Sequence, residues 1–171
     1  MASTLTVDNI EGATTSDKIH IPGHVVQVVS AIKTDKQTVT STSFVDITDL
    51  SVSITPTSST SKVLIILDGH GGHDNVNYML WNIVRGSTAI AQPAGSNPYP
   101  ASANSYTGDS VSSNQAIQKY SMTFLDSPTT TNATTYKIQT RTTSGTATVN
   151  GRPGNTNGAT VSTITVLEIA Q

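Results

Sequence analysis

Apolar residues recur along this chain in short runs of strand length, and nowhere with the 3.6-residue spacing of a helical face. From Val25 onward HVVQVVSAI, TSFVDITDLSVSIT, SKVLIILD and NYMLWNIVRG follow one another, each bounded by turn residues. In TSFVDITDLSVSIT the positions Val45 and Ile47, then Leu50, Val52 and Ile54, alternate with polar ones. The phase slips near Asp49, which predicts a bulge. Val63 to Leu67 is apolar at every position, so a central strand between two layers is expected there, whereas Tyr78 to Arg85 alternates like a strand with one wet face. Trp81 alternates in phase with Met79 and Ile83 and is assigned to the core. Gln92 to Asn114 holds Pro93, Gly95, Pro98, Pro100 and Gly108 among many Ser and Asn, and reads as a long surface loop. Strand signals return in QAIQKYSMTFLD, TTYKIQTRT, GTATVN and TVSTITVLEIA, separated by the turn-rich SPTTTNATT and NGRPGNTNG. Roughly eight strands and one long loop predict an all-β, jelly-roll-like β-sandwich over residues 25–171, with an up-and-down barrel as the alternative.

The first 24 residues have a different pattern. Leu5, Val7, Ile10, Ile19 and Ile21 are spaced among polar residues, and the segment closes at Pro22-Gly23. An extended N-terminal arm is expected over residues 1–24, with those five side chains docking it on a partner. Strand addition would supply the backbone hydrogen bonds, and alternate apolar side chains would fill pockets.

Composition sharpens this picture. The chain holds 29 Thr and 21 Ser among 171 residues, against 20 charged residues. Thr, Val and Ile are branched at Cβ and favour extended backbone, and Ser, Gly, Asn and Pro supply turns. With 35% hydrophobic and only 5% aromatic residues, the core is expected to be aliphatic and thin for a lone domain. Burial between copies would supplement it at about 25 cal/mol per Å2, so a homo-oligomer is expected. The formal net charge of −2 comes with no Lys/Arg cluster, so nucleic acid is not an expected partner. No apolar run approaches the ~20 residues that span a bilayer, so membrane insertion is not expected either. The opening MASTLTVDNI has neither a basic nor an apolar signal region, and the chain has no Cys for disulfides or thiolate metal sites. Synthesis in a reducing cytoplasm is expected.

Candidate chemistry is sparse. His20 and His24 flank Ile21-Pro22-Gly23, and His70 and His73 bracket a Gly pair in DGHGGHDN. A zinc site would have to combine such imidazoles with Asp68 or Asp74, or gather copies of one His at a symmetry axis. The preferred reading of DGHGGHDN is a Gly-rich turn joining two strands. The sequence has no G-x-S-x-G, P-loop, G-x-G-x-x-G or H-E-x-x-H, and its 11 acidic residues are scattered singly. No catalytic residue, cofactor or metal is assigned, and an enzyme is not expected. Asn132-Ala133-Thr134 is a sequon read as a hairpin loop. Tyr99 and Tyr106 lie in the Pro/Asn/Ser/Gly loop, a composition that suits adaptable contact surfaces, and are the candidate receptor-binding residues.

Several strings, taken in order, resemble a family of virion structural proteins from tailed bacteriophages: VVQVVSAIKTD, STSFVDITDLSVSITPTSSTSKVLI, IVRGSTAI, SMTFLDSPTTTNATTYKIQ and STITVLEIA. The resemblance spans about residues 25 to 170, and STLTVDNIEGATT looks like the N-terminal arms of such proteins. It implies a trimer-forming β-sandwich on the virion exterior. Two jobs follow. One is a capsid decoration protein that binds the major capsid protein or other virion proteins through its arm and stabilises the lattice. The other is a tail or head fibre protein whose loops around Gly69 to Asn75 and Gln92 to Asn114 contact a host surface glycan or protein. The short segment before the globular part favours decoration, and the hydroxyl-rich loops with two tyrosines favour the fibre.

Overall fold

The computed structural model describes residues 21–74, 77–106, 116–154 and 157–171. Eleven strands are present among them: β1 (Val25–Lys33), β2 (Gln37–Val39), β3 (Val45–Ile54), β4 (Lys62–His73), β5 (Tyr78–Arg85), β6 (Thr88–Ile90), β7 (Ala103–Tyr106), β8 (Gln118–Asp126), β9 (Thr134–Thr142), β10 (Ala147–Val149) and β11 (Ser162–Ile169). The expected strands are all present. The three additional ones, β2, β6 and β7, have only three or four residues, too few to show a period.

Two antiparallel sheets pack face to face. One runs β1-β11-β4-β10-β2 with β8 on the other side of β4; the other runs β3-β9-β5-β6 with β7 also on β5. The pairings nest: β5 with β7, β4 with β8, β3 with β9, β1 with β11. A long antiparallel ribbon folded over on itself gives this order, and the result is a jelly-roll sandwich as the pattern predicted. The ribbon's tip is the β5–β7 end, where the long loop lies.

Alternation places Val63, Ile65, Leu67, Trp81, Ile83, Tyr136, Ile138, Ile164 and Val166 between the sheets, all fully buried. The slip at Asp49 is a bulge: its φ is 64°, and the β3–β9 register shifts between Asp46 and Ser51.

Three expectations are corrected. DGHGGHDN is not a turn, since β4 continues through His73. Its glycines make room: a Cβ on Gly69 would stand 2.7 Å from Trp81 Cζ3, and one on Gly71 would stand 2.8 Å from Met79 Sδ. Val63 to Leu67 is not covered on both sides, because Ile66 is exposed on the outer face. Tyr78 to Arg85 has no wet face; Met79 through Val84 are all buried, because the segment after Ile90 folds across the outer side of β5.

Two fully buried ions sit on the inner face of the β1–β11 ladder, near opposite ends of it. Lys33 pairs with Ser162, and its Nζ donates to Asp35 Oδ1 and Thr48 Oγ1, both at 2.7 Å. Glu168 pairs with Gln27 and accepts from Gln27 Nε2 (2.6 Å), Thr57 N (2.8 Å) and Thr57 Oγ1 (2.7 Å). Each ion is satisfied by hydrogen bonds, as burial of a charge demands.

Candidate functional site

The outer face of the second sheet carries an aromatic row. Tyr78 opens β5 and stands in register with Tyr106 on β7, their ring centroids 4.8 Å apart and tilted by 43°. Tyr99 arrives from the loop and tilts onto Tyr78 at 5.2 Å and 31°. On the far side the Arg141 guanidinium lies 5.9 Å from the Tyr99 ring and 5.1 Å from the Phe44 ring. Arg141 is on β9, opposite Leu80, and its Nη1 donates to Thr42 O at 3.1 Å. The order Phe44, Arg141, Tyr99, Tyr78, Tyr106 is therefore continuous. Tyr99 is 39% and Tyr106 50% exposed.

A polar knot beneath the loop fixes this row. Asn82 shares the outward parity of Tyr78 yet is buried, and its Oδ1 accepts from Ser102 N and Gln92 Nε2, both at 3.2 Å. Ser102 Oγ donates to Ile90 O (2.9 Å) and accepts from Ile83 N (3.0 Å). Both ends of the segment 92–102 are thus tied to β5 and β6. Asn97 Oδ1 accepts from Tyr99 N at 2.9 Å and shapes the tip. The row presents aromatic faces and phenol edges with few rotatable bonds, a surface suited to stacking on a sugar ring or gripping a peptide.

No family model matches the chain, and no curated protein matches it. The site is therefore read from its geometry. Tyr99 and Tyr106, expected as separate loop residues, meet on one ring, Tyr78. Tyr78, Phe44 and Arg141 were not singled out in the sequence. Tyr78 sits at an outward position of its strand, which is a readable signal, but nothing local marks Phe44 or Arg141. The rest of the expected loop, residues 107–114, lies outside the described residues.

The other candidates separate. Alternation sends His70 outward, where its Nδ1 bonds Val161 O at 2.8 Å, and His73 inward, where its Nε2 bonds Thr142 Oγ1 at 2.5 Å. They share no site, and among the described residues no three His, Asp or Glu side chains gather where a metal ion could sit. His24 Nδ1 bonds Ile21 O at 2.5 Å, while His20 lies outside the described residues. Of the arm residues only Ile21 is described, exposed beside a turn held by Gly23 N to Ala170 O (2.7 Å) and Ala170 N to His24 O (3.0 Å). Leu5, Val7, Ile10 and Ile19 lie outside the described residues.

A shallow cleft of about 360 Å3 opens by the sequon loop, lined by Arg85, Gly86, Pro128 and Thr134 among others. Its cation is committed to structure: Arg85 Nη1 donates to both Asp126 oxygens at 2.9 Å. Asp126 also accepts from Tyr136 Oη at 2.7 Å, and burial with this bond pushes the Tyr136 hydroxyl up. In the core, Tyr120 stacks on Trp81 with centroids 4.7 Å apart, and burial pushes its hydroxyl up to about 12. Both phenols stay protonated, and that of Tyr136 donates to Asp126.

Proposed function

We propose that this chain is a structural protein of the exterior of a tailed-bacteriophage virion, made in the host cytoplasm, assembled as a homotrimer and acting as a capsid decoration protein. The observation that carries this reading is the anchored turn at Ile21 to His24. Backbone bonds between Gly23, His24 and Ala170 fix the turn that opens the described chain to the C-terminal end of the sandwich, and on this reading it anchors the arm toward neighbouring capsid subunits. The jelly-roll fold and the ordered resemblance of residues 25 to 170 support the same reading. In this role the chain works by contact and needs no catalytic group.

A second reading, a fibre tip that binds a host surface glycan or protein, is favoured by one observation: Tyr99, Tyr78 and Tyr106 converge on the outer face. The test that separates the two is the copy number of this chain in purified virions, measured by quantitative mass spectrometry against the major capsid protein. Copies comparable with the capsid protein are expected for decoration. A small minority of copies would replace it with the fibre reading, and absence from virions would overturn both.

A further inference from the structure

Antiparallel register lines up the outward side chains of the β1-β11-β4-β8 sheet in rows. Val28 lies opposite Leu167, Leu167 opposite Leu64, and Leu64 opposite Leu125. Four aliphatic side chains on four strands thus form one unbroken row across the sheet. The row to one side pairs Val25 with Ile169. To the other side Ile66 stands between Thr165 and Thr123, and in the row after that Ile32 stands beside Thr163. Val28 is 56% and Leu125 52% exposed, and Val25, Ile32 and Ile66 are exposed as well. An aliphatic face this continuous is unusual on the surface of a lone domain, where exposed apolar residues are scattered.

The charges on this face are few. Lys119 pairs with Asp68 at 3.1 Å, and Lys62 Nζ donates to Ser127 Oγ at 2.7 Å. The face therefore gives no signal for a strongly charged partner, and a second copy with the same low charge can meet it. Area points the same way. Four strands at about 4.8 Å span roughly 19 Å, and seven residues along β1 at about 3.3 Å span roughly 23 Å. Two copies would bury on the order of 900 Å2 from this face alone, close to the roughly 1,000 Å2 that a specific interface needs.

We infer that a second copy of this chain covers this face, with the row Val28, Leu167, Leu64, Leu125 at the centre of the contact. The inference rests on the self-association in the proposed function, not on its threefold number: like faces meeting face to face make a two-fold pair of copies.

The test is sedimentation velocity on the full chain over a dilution series, with Leu125→Glu, Val28→Glu and the control Ser53→Glu on the outer face of the opposite sheet. The wild type and the control should assemble, while each substitution in the row weakens assembly at least tenfold and leaves the circular dichroism spectrum unchanged. The chain has no Cys, so Leu125→Cys supplies a single thiol. It should react slowly with maleimide in the assembled protein and quickly on dilution. Undiminished assembly of both Glu variants, with a fast-reacting thiol at all concentrations, would overturn this face while leaving self-association standing. The same holds if deletion of residues 1–20 alone yields a monomer. A wild type that stays monomeric at every concentration would overturn both.

Discussion

Trp81 lies across the core against Gly69, its Cζ3 2.7 Å from where a Cβ on that residue would stand. Tyr120, the register partner of Gly69, stacks on the other part of the same indole. The strand at Gly69 thus gives up a side chain so that a large ring can close the sandwich. Gly69→Ala overfills the site and should destabilise the fold by about 1–3 kcal/mol. Urea denaturation measures this directly. Trp81→Phe in the same chain should recover part of the loss, seen as a favourable coupling in a double-mutant cycle.

That contact also marks where the sequence could be read and where it could not. The bulge at Asp49 was legible because a slip in alternation has one structural meaning. Glycines in DGHGGH were not, since a glycine that turns the chain and one that makes room for a ring look alike until the facing residue is known. The pattern in Tyr78 to Arg85 was alternating in fact, but Asn82 and Leu80 are covered by a segment whose path no local signal gives. At the candidate site Tyr99 was legible as a loop tyrosine, whereas Tyr106, read as part of the same loop, stands on β7 and, like Arg141 on β9, joins the row through strand pairing with β5.

Asn150 is the second structural key. It is fully buried with φ at 59°, a left-handed conformation that Asn tolerates better than most residues. Its Nδ2 donates to Lys33 O (2.8 Å) and Asp35 O (3.1 Å), and its Oδ1 accepts from Ser162 Oγ at 2.6 Å. Asn150→Ala strands those groups and keeps the strained backbone, at about 2–4 kcal/mol. Asn150→Gly relieves the backbone alone and should be the milder of the two. Thermal melts of both variants check the order.

The aromatic row should separate binding from stability. Tyr99 and Tyr106 are partly exposed and stack on Tyr78 rather than in the core. Replacing both with Ala removes two aromatic pairs and should lower stability by no more than about 3 kcal/mol, at up to about 1.5 kcal/mol per pair, and leave assembly intact. On the fibre reading, adsorption of virions carrying the variant to host cells falls. Unchanged adsorption, counted as free phage after mixing, would remove these two residues from any receptor site.

Acid should weaken the fold through Glu168. Burial pushes its carboxyl up, but hydrogen bonds from Gln27 and Thr57 outweigh that and hold it below the ordinary glutamate value. The unfolded chain then binds the proton more readily than the folded one, so stability rises with pH across this interval. The contribution is complete above the unfolded value and is lost as pH falls through the lower, folded one. Asp46, held down chiefly by the hydrogen bond from Lys137, acts in the same direction but is exposed and screened. Glu168→Gln tests the assignment, because every group facing the carboxylate is a donor. An amide turns an N–H toward one of them, which should cost about 1–3 kcal/mol at neutral pH. As pH falls through the folded carboxyl's lowered value the wild type gains a proton and meets the same conflict, so the difference between the two proteins in urea midpoint should shrink. A gap that stays constant from neutral pH down to the onset of acid unfolding of the wild type would show that Glu168 does not carry the acid sensitivity.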